Sequence, residues 1–374
     1  MPRAKSATDV LEAARLYYKE EQTKDYISKK MKIDARTVTA LLKRAREEGI
    51  VDIRIREDVL NLSLEQQLKA RYRHLERVLT LPRLGPIDTP EQHGELIRRL
   101  GVLSAQYFED FMAKHHGPVH LAVSGGVSVF EIVNAIERKP RPNLFIHVTA
   151  IVGYGMLDKD ASHLIPAANA SLLWEKSGRN TGSHLSYATA APLGPQPPDL
   201  NELAKNNSVK DVLNDMEKIN FVLAGLGTVV RDTHAPPLRR DVKSLRNQLS
   251  MTELLRPLIN LRELKRLKAI GDFSYNLFGA DGAELMNPKS ATSEPLRFFL
   301  TPGYGKERQG LAFYRHLVDK KKPVLAIAGP FKLEAIRAAL SGKLMNIWVT
   351  DEQTAQEVLD MGDKDETREQ KAPR

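Results

Sequence analysis

The stretch LAVSGGVSVFEIV, residues 121–133, decides the fold. A short apolar run ends at Ser124-Gly125-Gly126, and apolar residues at helical spacing resume near Val129. When a strand turns through glycine straight into a helix, main-chain N–H groups and the positive end of the helix dipole meet at the turn. Such a turn favours an anion.

The pattern repeats along the chain. VHLAVS precedes the helix that begins near Val127, and NLFIHVTAIVG precedes AANASLLWEKSG. INFVLAGLG follows VKDVLNDMEK, PVLAIAG precedes KLEAIRAALSG, and MNIWVTD precedes EQTAQEVLD. Short apolar strands alternating with amphipathic helices predict a doubly wound, mostly parallel α/β sheet covered on both faces. Ligands of such sheets sit beyond the carboxyl ends of the strands. The glycine-rich elements fall there: Ser124-Gly125-Gly126, Gly153-Tyr154-Gly155, Gly225-Leu226-Gly227 and Gly329. None is a G-x-G-x-x-G dinucleotide fingerprint or a Walker A loop, so the expected ligand is an anionic small molecule rather than a nucleotide.

At 374 residues the chain can form one large core plus a small satellite domain, since single cores rarely grow past roughly 250–300 residues. It has no cysteine, which rules out disulfides, zinc fingers and thiol catalysis and fits a reducing cytoplasm. No stretch reaches the roughly 18–20 apolar residues of a membrane helix, so no membrane partner is expected. The net charge is +9 and is unevenly placed: residues 1–56 carry 14 Lys and Arg against 9 Asp and Glu. A basic head on a nearly neutral body points to a polyanion partner, although a solvated lysine-rich surface would look the same.

That head reads as three helices. DVLEAARLYYKEE places Val10, Leu11, Ala14, Tyr17 and Tyr18 at helical spacing, and KDYISKKM is a shorter helix. After the turn at Lys32-Ile33-Asp34, a helix over about 35–48, capped by Asp34, buries Val38, Leu41, Leu42 and Ala45. Its outer face carries Arg36, Thr37, Thr39, Lys43 and Arg44. Gly49 ends it, and IVDIRI alternates like a short strand, the wing of a winged helix-turn-helix. In this arrangement the early residues of the last helix reach base edges while nearby lysine and arginine neutralise phosphates. A plain three-helix bundle is the competing reading.

The stretch ARLYYKEEQTKDYISKKMKIDARTVTALLKRAREEGIVDIRI resembles the head of the SorC family of sugar-responsive bacterial transcriptional regulators. Thr39-Ala40 stand where that family usually has Ser-Arg. The body resembles the family's effector-binding domain, whose fold is similar to that of sugar-phosphate isomerases. LAVSGGVSVFEIV corresponds to a Gly-Trp-Gly-x-Thr loop, with Gly125 at the Trp position and Ser128 at the Thr position. INFVLAGLGTV corresponds to a Gly-Ile-Gly-Ser element, and AIGDFSYNLFGADGAEL to Gly-Asp-Ile followed by Phe-x-Asp-x-x-Gly, which places Asp272 and Asp281. VLAIAGPFKLEAIRAAL corresponds to an Ala-Gly-Gly-x-x-Lys segment one residue longer, which places Lys332, with Pro330 for the second glycine. NIWVTDEQTA matches the closing segment.

The resemblance implies a regulator that binds a double-stranded DNA operator, is controlled by a phosphorylated sugar or polyol, and assembles as a homodimer or homotetramer without cofactor or metal. The expected DNA contacts are Arg36, Thr37, Thr39, Lys43 and Arg44; the expected effector contacts are Gly125, Gly126, Ser128, Gly153, Asp272 and Lys332. Backbone N–H groups at 125–128, the Ser128 hydroxyl and Lys332 suit a phosphate, and the Asp272 carboxylate suits hydroxyl donors. A helix N-cap over FSYNLF is the other reading of Asp272, a turn that of Asp281, and a cap of the last helix that of Asp351. The alternative function is a sugar-phosphate isomerase or deaminase-like enzyme with an accessory head. Against it, the ten histidines are scattered without metal-ligand spacing, and G-x-S-x-G is absent. Expected boundaries are a head at 1–56, a connecting helix and strand or linker at 57–92, an effector-binding domain at 93–360 and a disordered tail at 361–374.

Overall fold

In the computed structural model the described residues are 6–51, 61–138, 145–151, 166–177, 184–186, 199–229, 261–291 and 293–371. They form two compact units, Met1–Glu57 and Asp58–Arg374.

The head begins with α1 (Ala7–Ala14), closed at its N-terminus by a reciprocal Ser6–Asp9 capping box. A π-helical turn, Arg15–Lys19, extends it. α2 (Lys24–Met31) is capped by Thr23, and Lys32 in the left-handed conformation (φ 52°) turns the chain. α3 (Ala35–Glu47) starts at Asp34, whose carboxylate accepts the Thr37 N–H at 2.8 Å. Val10, Ala13, Ala14, Leu16, Ile27, Val38, Leu41, Leu42 and Ala45 pack into one core. The α3 stripe is the one its 3.6-residue period predicts. Leu11 departs from expectation and is 56% exposed, because Val10, Ala13 and Ala14 define a face one residue round the helix from it. The expected wing lies mostly in 52–60, outside the described residues.

The body opens with α4 (Leu62–Arg71), β1 (Arg77–Leu81) and the long α5 (Pro90–Lys114). Next come β2 (Val119–Val123), α6 (Val127–Ala135), β3 (Ile146–Ala150), α7 (Pro166–Lys176) and β4 (His184–Ser186). α8 (Leu200–Lys205), α9 (Asn207–Asp215), β5 (Phe221–Thr228) and α10 (Leu261–Arg266) follow. A hairpin, β6 (Gly271–Phe273) and β7 (Asn276–Phe278), precedes α11 (Leu311–Asp319). β8 (Val324–Ile327), α12 (Leu333–Ser341), β9 (Ile347–Asp351) and α13 (Glu352–Lys371) complete the chain.

The main sheet has the order β1-β9-β8-β5-β2-β3-β4 with parallel neighbours, and the hairpin adds antiparallel to the end of β5. Residues alternate between two cores. Leu121, Leu223, Ile327 and Val349 face α5, α6 and α7, while Ala122, Val222, Ala326 and Trp348 face α4, α9, α11, α12 and α13. The α/β architecture expected from the strand–helix rhythm is therefore present.

Two segments differ from expectation. Residues 61–81, read as a connection, are built into the body: β1 is an edge strand on β9, and Leu64 and Leu68 of α4 lie in the core. The buried Glu65 carboxylate accepts from Arg77 Nε at 2.9 Å and from the Val78 N–H at 3.2 Å, tying α4 to β1. At the other end α13 continues to Lys371, past the expected start of a disordered tail. Its run of Glu, Lys, Gln and Arg has good helix propensity despite its charge.

Candidate functional site

From β2 the chain goes outward through β3 and β4, then returns to β5 on the other side of β2. The crevice beyond the carboxyl ends of β2 and β5 is thus the topological switch point, where sheets of this kind bind ligands.

The first wall is the turn after β2. Ser124 N–H donates to Leu223 O at 2.9 Å, joining the turn to β5. Gly126 has φ 101° and ψ 157°, a conformation open to glycine but strained for other residues, and no side chain caps α6 behind it. Ser128 is half-buried in the first turn of α6. The second wall is Gly225-Leu226-Gly227. A Cβ at Gly225 would stand 3.1 Å from Gly125 O and 3.4 Å from Ser124 Oγ, so the end of β5 touches the glycine turn after β2.

The hairpin supplies the third wall. Asp272 lies opposite Gly227 in the β5–β6 register, so its segment is a strand and FSYNLF is not a helix for it to cap. Ser274 (φ 45°) and Tyr275 (φ 70°) form the left-handed two-residue turn that hairpins favour. Ser274 N–H donates to Gly225 O at 2.8 Å, and Tyr275 N–H donates to Asp272 Oδ2 at 3.1 Å. Burial raises the Asp272 carboxyl to about 6, against the opposing pull of the Tyr275 N–H and the Lys332 charge.

The segment after β8 brings the cation. Phe331 (φ 73°) is a non-glycine residue held in the left-handed region, and its ring lies 5.9 Å from that of His93 on α5. Such strain persists only where the surroundings over-determine it. It turns Lys332, the N-cap residue of α12, towards β5, where Nζ donates to Leu226 O at 2.7 Å. Burial lowers the Lys332 ammonium from its ordinary value, opposed by the Asp272 charge. Burial, with a smaller contribution from Lys332, pushes His93 down to about 4.

Gly125, Asp272 and Lys332 therefore converge on one strand end through Gly225, Gly227 and Leu226. Gly126 and Ser128 continue the same turn into α6, and Gly153 lies outside the described residues. Asp281 forms a turn, accepting from Ala283 N–H at 3.0 Å. Asp351 caps Thr354 and pairs with Arg83 at 2.6 Å, which spends its carboxylate within the fold. His120 and His147 stack in register on β2 and β3 with ring centroids 4.4 Å apart. Among the described residues no three His, Cys, Asp or Glu side chains gather as a metal site would require. Sequence reasoning passed over Asn169 of α7, whose Nδ2 donates to Ser124 O at 3.2 Å. An asparagine in the otherwise apolar AANASLL was the available signal.

In the head, Arg36 and Thr39 are exposed on α3, and Thr39 Oγ1 donates to Ala35 O. Thr37 Oγ1 donates to Asp34 Oδ2 at 2.5 Å, so part of its hydrogen-bonding capacity serves the cap. Lys43 and Arg44 pair with Glu47 and Glu48 one turn on. Exposed pairs of this kind are weak, about 0.3–0.5 kcal/mol, and yield readily to a phosphate.

Known proteins match both units. Residues 311–360 match the Sugar-bind family model, described as a "Putative sugar-binding domain". The sorbitol operon regulator of Klebsiella pneumoniae is 38% identical over 93 residues, 24% of this chain and 30% of that protein. The deoxyribonucleoside regulator of Bacillus subtilis (strain 168) is 23% identical over 354 residues, 93% of this chain and 96% of its own length. The full-length sorbitol operon regulator SorC from Klebsiella pneumoniae has a TM-score of 0.62 at 20% identity, covering 96% of this chain and 100% of that one. This chain shares the fold of that regulator over nearly its whole length. A DeoR family transcriptional regulator from Listeria monocytogenes shares the fold over 79% of this chain and 98% of the Listeria chain, with a TM-score of 0.56 at 20% identity.

Proposed function

We propose that this protein is a SorC-type transcriptional regulator whose head binds a double-stranded DNA operator through α3. Its body binds a phosphorylated sugar or polyol beyond the carboxyl ends of β2 and β5. The observation that carries this reading is the convergence of an uncapped helix start, a half-buried cation and a buried carboxylate on one strand end. Gly125–Ser128 and Lys332 offer N–H and ammonium donors to a phosphate, and Asp272 accepts from hydroxyls. The names of the sorbitol operon and deoxyribonucleoside regulators support the same reading.

The protein acts in the cytoplasm as a homodimer or homotetramer, because helix-turn-helix proteins read two half-sites with two copies. The effector controls the operator by binding one arrangement of the assembly better than another; equal affinity for both would shift nothing. The body senses rather than catalyses. The test is fluorescence anisotropy on DNA upstream of the gene, with and without a panel of sugar and polyol phosphates. A response to one of them is expected. Indifference to every member, or turnover of any, overturns the reading.

A further inference from the structure

Two buried polar atoms beside the turn after β2 have no partner among the described residues: Ser124 Oγ and Asn169 Oδ1, on residues each 1% exposed. An unpartnered buried acceptor costs about 1–3 kcal/mol, so folded proteins rarely keep one without a use. The Asn169 amide has a fixed orientation, because Nδ2 must face the Ser124 carbonyl to donate to it at 3.2 Å. Oδ1 is therefore the free end, and an amide oxygen only accepts. The same turn leads into the uncapped N-terminus of α6, and Ser124 Oγ lies against Gly225 at the foot of the crevice.

The phosphate of a monoester dianion has no proton for Asn169 Oδ1, whereas a hydroxyl on the carbon beside the ester has one. Ser124 Oγ, able both to donate and to accept, suits either neighbour. We infer that Asn169 is a specificity-determining residue: its Oδ1 accepts from a hydroxyl of the bound molecule, next to the group held at the start of α6, and so selects polyhydroxylated phosphate esters over esters that carry no hydroxyl. This rests on the anion-binding reading of the crevice. It adds that the ligand is recognised by a hydroxyl close to its phosphate, at a residue on a helix that the phosphate does not need.

The experiment is isothermal titration of the full-length protein at pH 8 with three probes: methyl phosphate, glycerol 1-phosphate and glucitol 6-phosphate. The wild type should bind a polyol ester at least about tenfold tighter than methyl phosphate, roughly the value of one buried hydrogen bond. Asn169→Leu should erase that preference and leave methyl phosphate within about twofold. Asn169→Asp keeps an acceptor and loses the donor to Ser124 O. It should retain the preference even if both affinities fall, and it serves if the leucine variant does not fold. Equal loss for all probes in Asn169→Leu, or a preference erased in Asn169→Asp, would make Asn169 only a brace for the turn and overturn the inference. Equal binding of methyl phosphate and both polyol esters by the wild type overturns it while leaving the anion site standing. Binding of none of the three overturns the inference and the anion site together.

Discussion

The carboxylate of Asp272 occupies the space that a side chain on Gly227 would take. The two residues are paired across β5 and β6, and the absence of a Cβ on one strand makes room for the charge on the other. Because the hairpin is anchored to Gly225 through Ser274, Asp272 cannot retreat without moving the whole turn. Gly227→Ala should therefore displace Asp272 and weaken polyol-phosphate binding by tenfold or more. Overpacking of this kind costs about 1–3 kcal/mol of stability. Titration calorimetry together with urea unfolding would separate the two effects; unchanged binding would mean that Asp272 touches no ligand.

The same burial makes Asp272 a source of pH dependence. Its folded value of about 6 lies above the ordinary 3.8, so the native state holds a proton that the unfolded chain releases. The contribution to stability is fully present below about pH 4 and is lost as pH rises through about 6. Asp272→Asn removes it. Relative to wild type, this variant should gain stability between pH 4.5 and pH 7.5, by an amount on the order of 2–3 kcal/mol. Urea midpoints at the two pH values check this, and a pH-independent difference would assign the site another charge state.

How much of this was legible in the sequence depended on the length of the signal. Val38, Leu41, Leu42 and Ala45 span two helical turns, enough for the period to declare itself, and the strand expected within 57–92 is β1, Arg77–Leu81. β4 and the β6–β7 strands are three residues each, too short for alternation to register. The hairpin was hidden further because Ser274 and Tyr275 take left-handed angles without the Asn-Gly signature that marks such turns. Asp272 could therefore be read as a helix cap until the register with Gly227 placed it in a strand. Asn169 escaped notice because a lone polar residue on a helix reads as surface, and only the fold brings it against Ser124 O.

The N-cap of α3 offers a prediction confined to the head. Asp34 accepts from both the main-chain N–H and the hydroxyl of Thr37, and these bonds hold its carboxyl below the usual carboxylate range. Asp34→Ala should cost about 0.5–2 kcal/mol of helix stability and weaken operator binding by loosening the first turn, where Arg36 sits. Asp34→Ser, which keeps a cap, should recover most of the loss. Circular dichroism melting and anisotropy on the same samples measure both, and a variant that loses neither would show that the cap is dispensable.

Arg36 and Lys43 lie two turns apart on α3, and the geometry assigns them different tasks. Arg36 is exposed in the first turn, the part of a recognition helix that meets base edges, and its guanidinium can grip a guanine with two hydrogen bonds. Lys43 lies nearer the far end, paired with Glu47 across 3.5 Å, where a phosphate would compete for it. Arg36→Ala should cost about 1–3 kcal/mol on the specific site and much less on random DNA. Lys43→Ala should weaken both to a similar degree and reduce the salt-dependence slope by about one. Anisotropy titrations at four salt concentrations distinguish the two outcomes. Equal losses on both DNAs in both variants would mean that α3 binds only the backbone, and sequence reading would then have to come from another part of the head.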